Sequence, residues 1–154
     1  RDPAPGADLV QAPFSDERPV VVVASKSHPL PERKDEIPLS ALTDFNWCIP
    51  RRGVPLRDRW HELFEHAGLP PPDVGIECGS GLATRQILMK TDFLSLFSPE
   101  QVALELESGW LKIVGHTPAA MNRTLGLTYR HDWHPTSLQT AFLDSLKHHS
   151  RNPV

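Results

Sequence analysis

Only two cysteines occur in the 154 residues, Cys48 and Cys78, thirty positions apart and with no CxxC or Cys/His ladder around either. That spacing suggests neither a disulfide framework nor a zinc knuckle, and it fits a reducing cytosol. Charge of one sign is scarce as well: the net charge is -3, with lysines and arginines scattered along the chain. Without a basic stripe there is no footprint for a phosphate backbone, so direct contact with nucleic acid is not expected. Long apolar stretches are missing too. The longest covers residues 20–24, far short of the roughly 20 residues that span a bilayer, and nothing at the start reads as a signal peptide. A cytoplasmic protein without membrane contact is expected. There is no internal repeat, no low-complexity tract and no G-x-S-x-G nucleophile elbow. What is present is a hydrophobic content of 39%, enough at this length for one domain with its own core. The opening Arg1-Asp2-Pro3-Ala4-Pro5-Gly6, with no Met, hints at excision from something longer.

The pattern of elements is α/β. Residues 1–19 read as a Pro-rich loop leading into Val20-Val21-Val22-Val23-Ala24, whose β-branched run without alternation predicts a strand covered on both faces. Residues 45–49 read as a second strand. Leu56, Trp60, Leu63, Phe64 and Ala67 then fall at helical spacing, with Pro55 suited to the first helical position and Gly68 to the stop. A strand at 74–78, a helix at 82–90 and an apolar run at 93–97 follow. Ser98-Pro99-Glu100-Gln101 is a capping-box pattern opening a helix that stops at Gly109. Residues 110–114 and 125–130 read as strands, and Leu138, Ala141, Phe142 and Leu146 mark a last amphipathic helix after Pro135. Strands alternating with helices predict βαβ units and a mostly parallel twisted sheet flanked by helices.

Ligands in open α/β sheets gather at the carboxyl ends of strands. Two loops meet that rule: 50–54, with Arg51, Arg52 and Gly53, and 78–81, with Gly79, Ser80 and Gly81. The glycines would let backbone approach a ligand, and the helix after them would turn free N–H groups and partial positive charge toward an anion. The same Gly-Ser-Gly reads equally as a tight turn with Ser80 as N-cap. Arg51 and Arg52 could clamp a carboxylate or stand as solvated loop charges. Other constellations point to structure. His61 and His66 are five apart, so HExxH geometry fails, and His131-Asp132-Trp133-His134 reads as a turn before Pro135. Cys78 reads as a buried strand cysteine. No catalysis, metal or cofactor is expected.

The order of landmarks resembles one family. Residues 19–30, ending in Ser27-His28-Pro29-Leu30, are similar to the strand and turn by which LysR-type sensor domains enter their second subdomain. Trp47-Cys48-Ile49-Pro50-Arg51-Arg52-Gly53-Val54-Pro55-Leu56-Arg57, the helix exit Ala67-Gly68-Leu69-Pro70, the run 93–99, the ending 105–111 and the segment 125–144 continue the resemblance. It implies a periplasmic-binding-protein-like fold of type 2, with a second subdomain nearly complete at 17–118 and a partial first subdomain: its remnant at 1–16, and its return strand and terminal helix at 119–154. It also implies a small-molecule effector held against the two loops, anionic or polyhydroxylated, and a homo-oligomer whose full-length form binds DNA. A solute-binding protein of a transporter shares the fold and is the alternative. An apolar helix face without its usual neighbours favours self-association.

Overall fold

The computed structural model describes residues 8–13 and 17–151. The chain divides into two units, one of Arg1–Arg18 with Arg123–Val154 and the other of Pro19–Asn122.

The larger unit is built around the valine run. Elements in chain order are β1 (Leu9–Pro13), β2 (Val21–Ser25), β3 (Trp47–Ile49), α1 (Pro55–His66), β4 (Val74–Glu77), α2 (Gly81–Leu88), β5 (Ser95–Phe97), α3 (Ala103–Glu107), β6 (Leu111–His116), β7 (Gly126–Arg130) and α4 (Ser137–Arg151), with short 3-10 turns between some of them. Every residue of β2 is buried, and its alternation divides the core. Val20, Val22 and Ala24 pack with Ile37, Leu42, Trp47, Ile49, Trp60, Phe64, Leu94 and Met121, whereas Val21 and Val23 pack with Leu88, Phe97, Val102 and Leu111. A strand with apolar partners on both faces has no polar side to display, which is why its sequence does not alternate. Each such side chain contributes on the order of 1.5–3 kcal/mol of burial.

The larger unit holds a three-stranded antiparallel sheet, β5-β2-β6, and a two-stranded parallel one, β3-β4, not the mostly parallel sheet that the alternating elements predict. β2 lies between β5 and β6 and runs antiparallel to both, with Val21 opposite Phe97 and His116. Among the described residues only β3 and β4 pair as a parallel ladder, and β3 reaches toward β5 through the parallel bridge Trp47–Leu94. The physical reason lies in the connections. A long helical crossover returns the chain parallel, as α1 does between β3 and β4. The link from β2 to β3 contains only a 3-10 turn at Leu39–Leu42 and imposes no such direction.

Helix α1 starts with Pro55 at its first position and ends where Gly68 takes φ +67, a left-handed conformation that costs glycine nothing. Trp60 and Phe64 are buried and meet Trp47 edge-on, at centroid distances of 5.4 and 6.5 Å. Ala67 stays exposed. The predicted capping box is present: Gln101 accepts from the Ser98 backbone N–H at 3.1 Å.

In the smaller unit β1 pairs antiparallel with β7, Leu9 opposite Arg130 and Pro13 opposite Gly126. The sequence reads residues 1–19 as loop. A strand of five residues carrying a proline shows no clear period, and only its pairing with β7, more than a hundred positions on, makes it a strand. The amphipathic helix α4 follows β7, with Leu138 and Phe142 largely exposed.

Candidate functional site: loops at the ends of a parallel strand pair

The parallel pairing of β3 and β4 carries both candidate loops to one edge. Ile49 lies opposite Glu77, and the Cys78 N–H donates to the Ile49 carbonyl at 3.0 Å. Residues 50–54 and 78–81 therefore leave side by side at the carboxyl ends of their strands, each leading into a helix N-terminus.

In the second loop Ser80 is the N-cap of α2: its hydroxyl accepts from the Ala83 N–H at 3.3 Å. Its carbonyl accepts from the Thr84 N–H at 2.9 Å and the Thr84 hydroxyl at 3.0 Å. Thr84 is buried, so the turn is anchored from beneath. Gly79, Ser80 and Gly81 are all exposed. Neither glycine sits at positive φ, and a Cβ at Gly79 would meet nothing within 4 Å. The glycines thus leave room; the backbone does not require them for strain. N-capping by Ser80, one of the two uses its sequence allows, is what the geometry displays.

The first loop is differently committed. Gly53 takes φ +83, and its N–H donates to Asp58 Oδ1 at 3.1 Å, so that donor is already engaged. Arg51 and Arg52 are exposed. Arg52 lines a cleft of about 230 Å³ along α1 with Arg57, Asp58, His61, Glu62 and Glu65. The structure thus brings the two loops together as backbone while directing Arg52 along a helix face that carries both charges.

Sequence reasoning missed Arg57. It is buried, its guanidinium lies over the Trp60 ring at 5.1 Å, and its Nη1 stands 3.7 Å from Glu77 Oε1 at the end of β4. Burial lowers its pKa and Glu77 raises it, with burial the larger effect. The available signal was spacing, since Arg57 precedes Trp60 by three and Phe64 by seven, on the buried face of α1.

Cys78, expected as a buried strand cysteine, is only half-buried and lies one residue past β4, whereas Cys48 within β3 is buried. The other constellations are structural. His61 Nε2 pairs with Glu65 at 3.2 Å one helical turn away. Residues 131–134 form a turn in which the Trp133 N–H donates to the Arg130 carbonyl and Trp133 packs on Tyr129 at 5.6 Å. Among the described residues no helix is long and apolar enough to cross a membrane.

Comparison with known proteins adds to this geometry. The profile of the family described as LysR substrate binding domain matches residues 1–151. The HTH-type transcriptional regulator GalR of Pseudomonas putida is 32% identical over 80% of this chain, and CbbR of Xanthobacter flavus is 32% identical over 64%. The chain spans 30% and 29% of the lengths of those two relatives. Among solved structures, the Synechocystis PCC6803 CcmR regulatory domain in complex with 2-PG is 26% identical, with a TM-score of 0.81 over 99% of this chain and 72% of that one. The effector binding domain of QuiR in complex with shikimate is 18% identical, with a TM-score of 0.74 over 96% of this chain and 68% of that one. The second likeness is one of fold.

Proposed function

Because this chain belongs to the LysR substrate-binding domain family, we propose that it is the effector-binding and oligomerising part of a bacterial transcription regulator of the cytoplasm. The observation that carries this reading is the family match along residues 1–151, within which two helix-opening loops converge at the end of a parallel strand pair. The relatives named regulators favour it over a transporter's solute-binding protein, and they are not enzymes. Relatives of the same fold are described in complex with 2-PG and with shikimate, which supports a small-molecule effector here, anionic or polyhydroxylated.

The proposed contacts are Arg51, Arg52, Gly53, Gly79, Ser80 and Gly81. Exposed backbone at 79–81 and the start of α2 favour negative charge by about 0.3–1 kcal/mol, up to ~2 where partly buried. One helix terminus is too weak for useful affinity, so further groups must contribute. Binding would then shift the population of conformers and, through oligomer geometry, the distant DNA-binding parts.

A thermal-shift screen of carboxylates and sugar acids tests the site. A ligand at about a hundred times its Kd adds ~2.7 kcal/mol, a melting shift of roughly 5–10 °C for a domain of this size. Gly81→Asp has room for its side chain, since a Cβ there meets only the Phe97 ring at 3.8 Å. It is expected to abolish that shift and leave the ligand-free melting temperature nearly unchanged. A variant that keeps the full response places the site elsewhere.

A further inference from the structure

The two cysteines are thirty residues apart in sequence, yet the fold makes them neighbours. Cys48 stands opposite Ile76 in the parallel ladder, and Cys78 lies two residues beyond Ile76. Strand side chains alternate, so Cys48 and Cys78 fall on the same face of the pair, diagonally adjacent. Burial pushes the Cys48 thiol above its ordinary pKa, the Thr84 hydroxyl opposes that, and the neighbouring Cys78 thiol adds to it. Their surroundings differ. Cys48 is buried, with its Sγ 3.9 Å from the Thr84 hydroxyl. Cys78 is half-exposed, its Sγ 3.6 Å from the Ser80 carbonyl in the turn that opens α2. One thiol is open to a small reagent, and the second waits behind it, sealed from solvent.

We propose that Cys48 and Cys78 are a redox modification site, closing to an intramolecular disulfide when the protein meets a hydroperoxide. In the first step the Cys78 sulfur attacks the outer oxygen of the hydroperoxide. An S–O bond forms, the O–O bond breaks, and an alcohol, or water from hydrogen peroxide, departs with the proton. In the second step the Cys48 sulfur attacks the sulfenic sulfur of Cys78; the S–S bond forms, the S–O bond breaks, and the oxygen leaves as water with the Cys48 proton. Two electrons pass from the sulfur pair to the peroxide. A thiol reductant of the glutathione class restores both cysteines by exchange. Partner order follows exposure, since an attacking thiol must be reached by its oxidant. The bridge ties the end of β3 to the residue before Gly79-Ser80-Gly81 and displaces the Cys78 contact with the Ser80 carbonyl, so it acts on the cap of α2. None of this depends on what the turn binds.

The test is intact-mass and peptide analysis of the chain after treatment with hydrogen peroxide, before and after dithiothreitol. The expected result is a monomer lighter by about 2 Da, a linked peptide pair containing Cys48 and Cys78, and full recovery of both thiols on reduction. In Cys48→Ser, Cys78 is expected to be trapped as its dimedone adduct, because the resolving thiol is gone. In Cys78→Ala, a change at a half-exposed position, Cys48 is expected to react with peroxide at least tenfold more slowly than the pair does. The wild-type measurement requires neither variant to fold. A product heavier by about 32 Da, with Cys78 as sulfinic acid and Cys48 still a thiol, would overturn the proposal. So would bridging only between molecules, or oxidation of Cys48 at an undiminished rate in Cys78→Ala.

Discussion

At the scale of single residues, two positions translate directly into measurable stability. Gly115 is buried in β6, where a Cβ would lie 2.4 Å from Ile37 Cβ and 2.7 Å from its Cγ2. Gly115→Ala forces those atoms apart, with an expected cost of about 1–3 kcal/mol from overpacking; an unchanged urea midpoint would show that the Ile37 segment yields freely. His28 is the second. Its Nδ1 accepts from the Leu30 N–H at 3.1 Å, and its Nε2 lies 3.2 Å from the Asp92 carbonyl, which together suit a neutral ring. Burial lowers its pKa most, Lys112 adds to that, and contacts with Asp92 oppose it. With the folded pKa below the ordinary value near 6.5, the unfolded chain takes up the proton first as pH falls. Stability is therefore expected to drop as pH decreases through the window below about 6.5. His28→Gln should flatten that part of the profile in denaturation series run from about pH 7.5 down to 5; a slope identical to wild type would assign the effect to other groups.

At the scale of elements, α2 separates two uses of one serine. Ser80→Ala removes the acceptor for the Ala83 N–H and is expected to cost about 1 kcal/mol, readable by urea denaturation. Should that loss appear while an effector still gives its full melting shift, the hydroxyl caps the helix without touching ligand. Ser80→Asp keeps the cap and is expected to hold stability within a few tenths of a kcal/mol. For α1, Trp60→Ala empties the contact with Trp47 and Phe64, at an expected 3–5 kcal/mol. Much of this was legible in advance. The stripe of Trp60 and Phe64, the proline start, the Gly68 stop and the Ser98 capping box are local features, and each element formed where its own residues called for it. Spacing puts Arg57 on the buried stripe of α1, but an arginine there reads as solvated from sequence, because its charge partner Glu77 comes from β4, twenty positions on.

At the scale of the molecule, each unit answers separately. The larger buries two apolar clusters on either side of β2, while Leu82, Leu104 and Trp110 stay exposed on its surface. In the smaller, Leu138 and Phe142 of α4 are 81% and 61% exposed, an apolar face that association would cover. We expect a dimer or higher oligomer by light scattering at high micromolar concentration. Leu138→Asp with Phe142→Asp should move it toward monomer, and a wild type that is already monomeric would refute the expectation.

The sequence alone determined the α/β character, the position of most helices and strands, the two loops at strand ends and the family resemblance. Those properties rest on side-chain periodicity, caps and turn residues within about ten positions of one another. Only the tertiary structure decided that β2 runs antiparallel to both neighbours, that β1 is a strand at all, that Arg57 is buried, and that Cys48 and Cys78 share one face. The backbone groups that pair strands are the same for every residue type, so strand direction and register are set by how distant segments pack together. The short stretches of sequence that form each strand carry no such record.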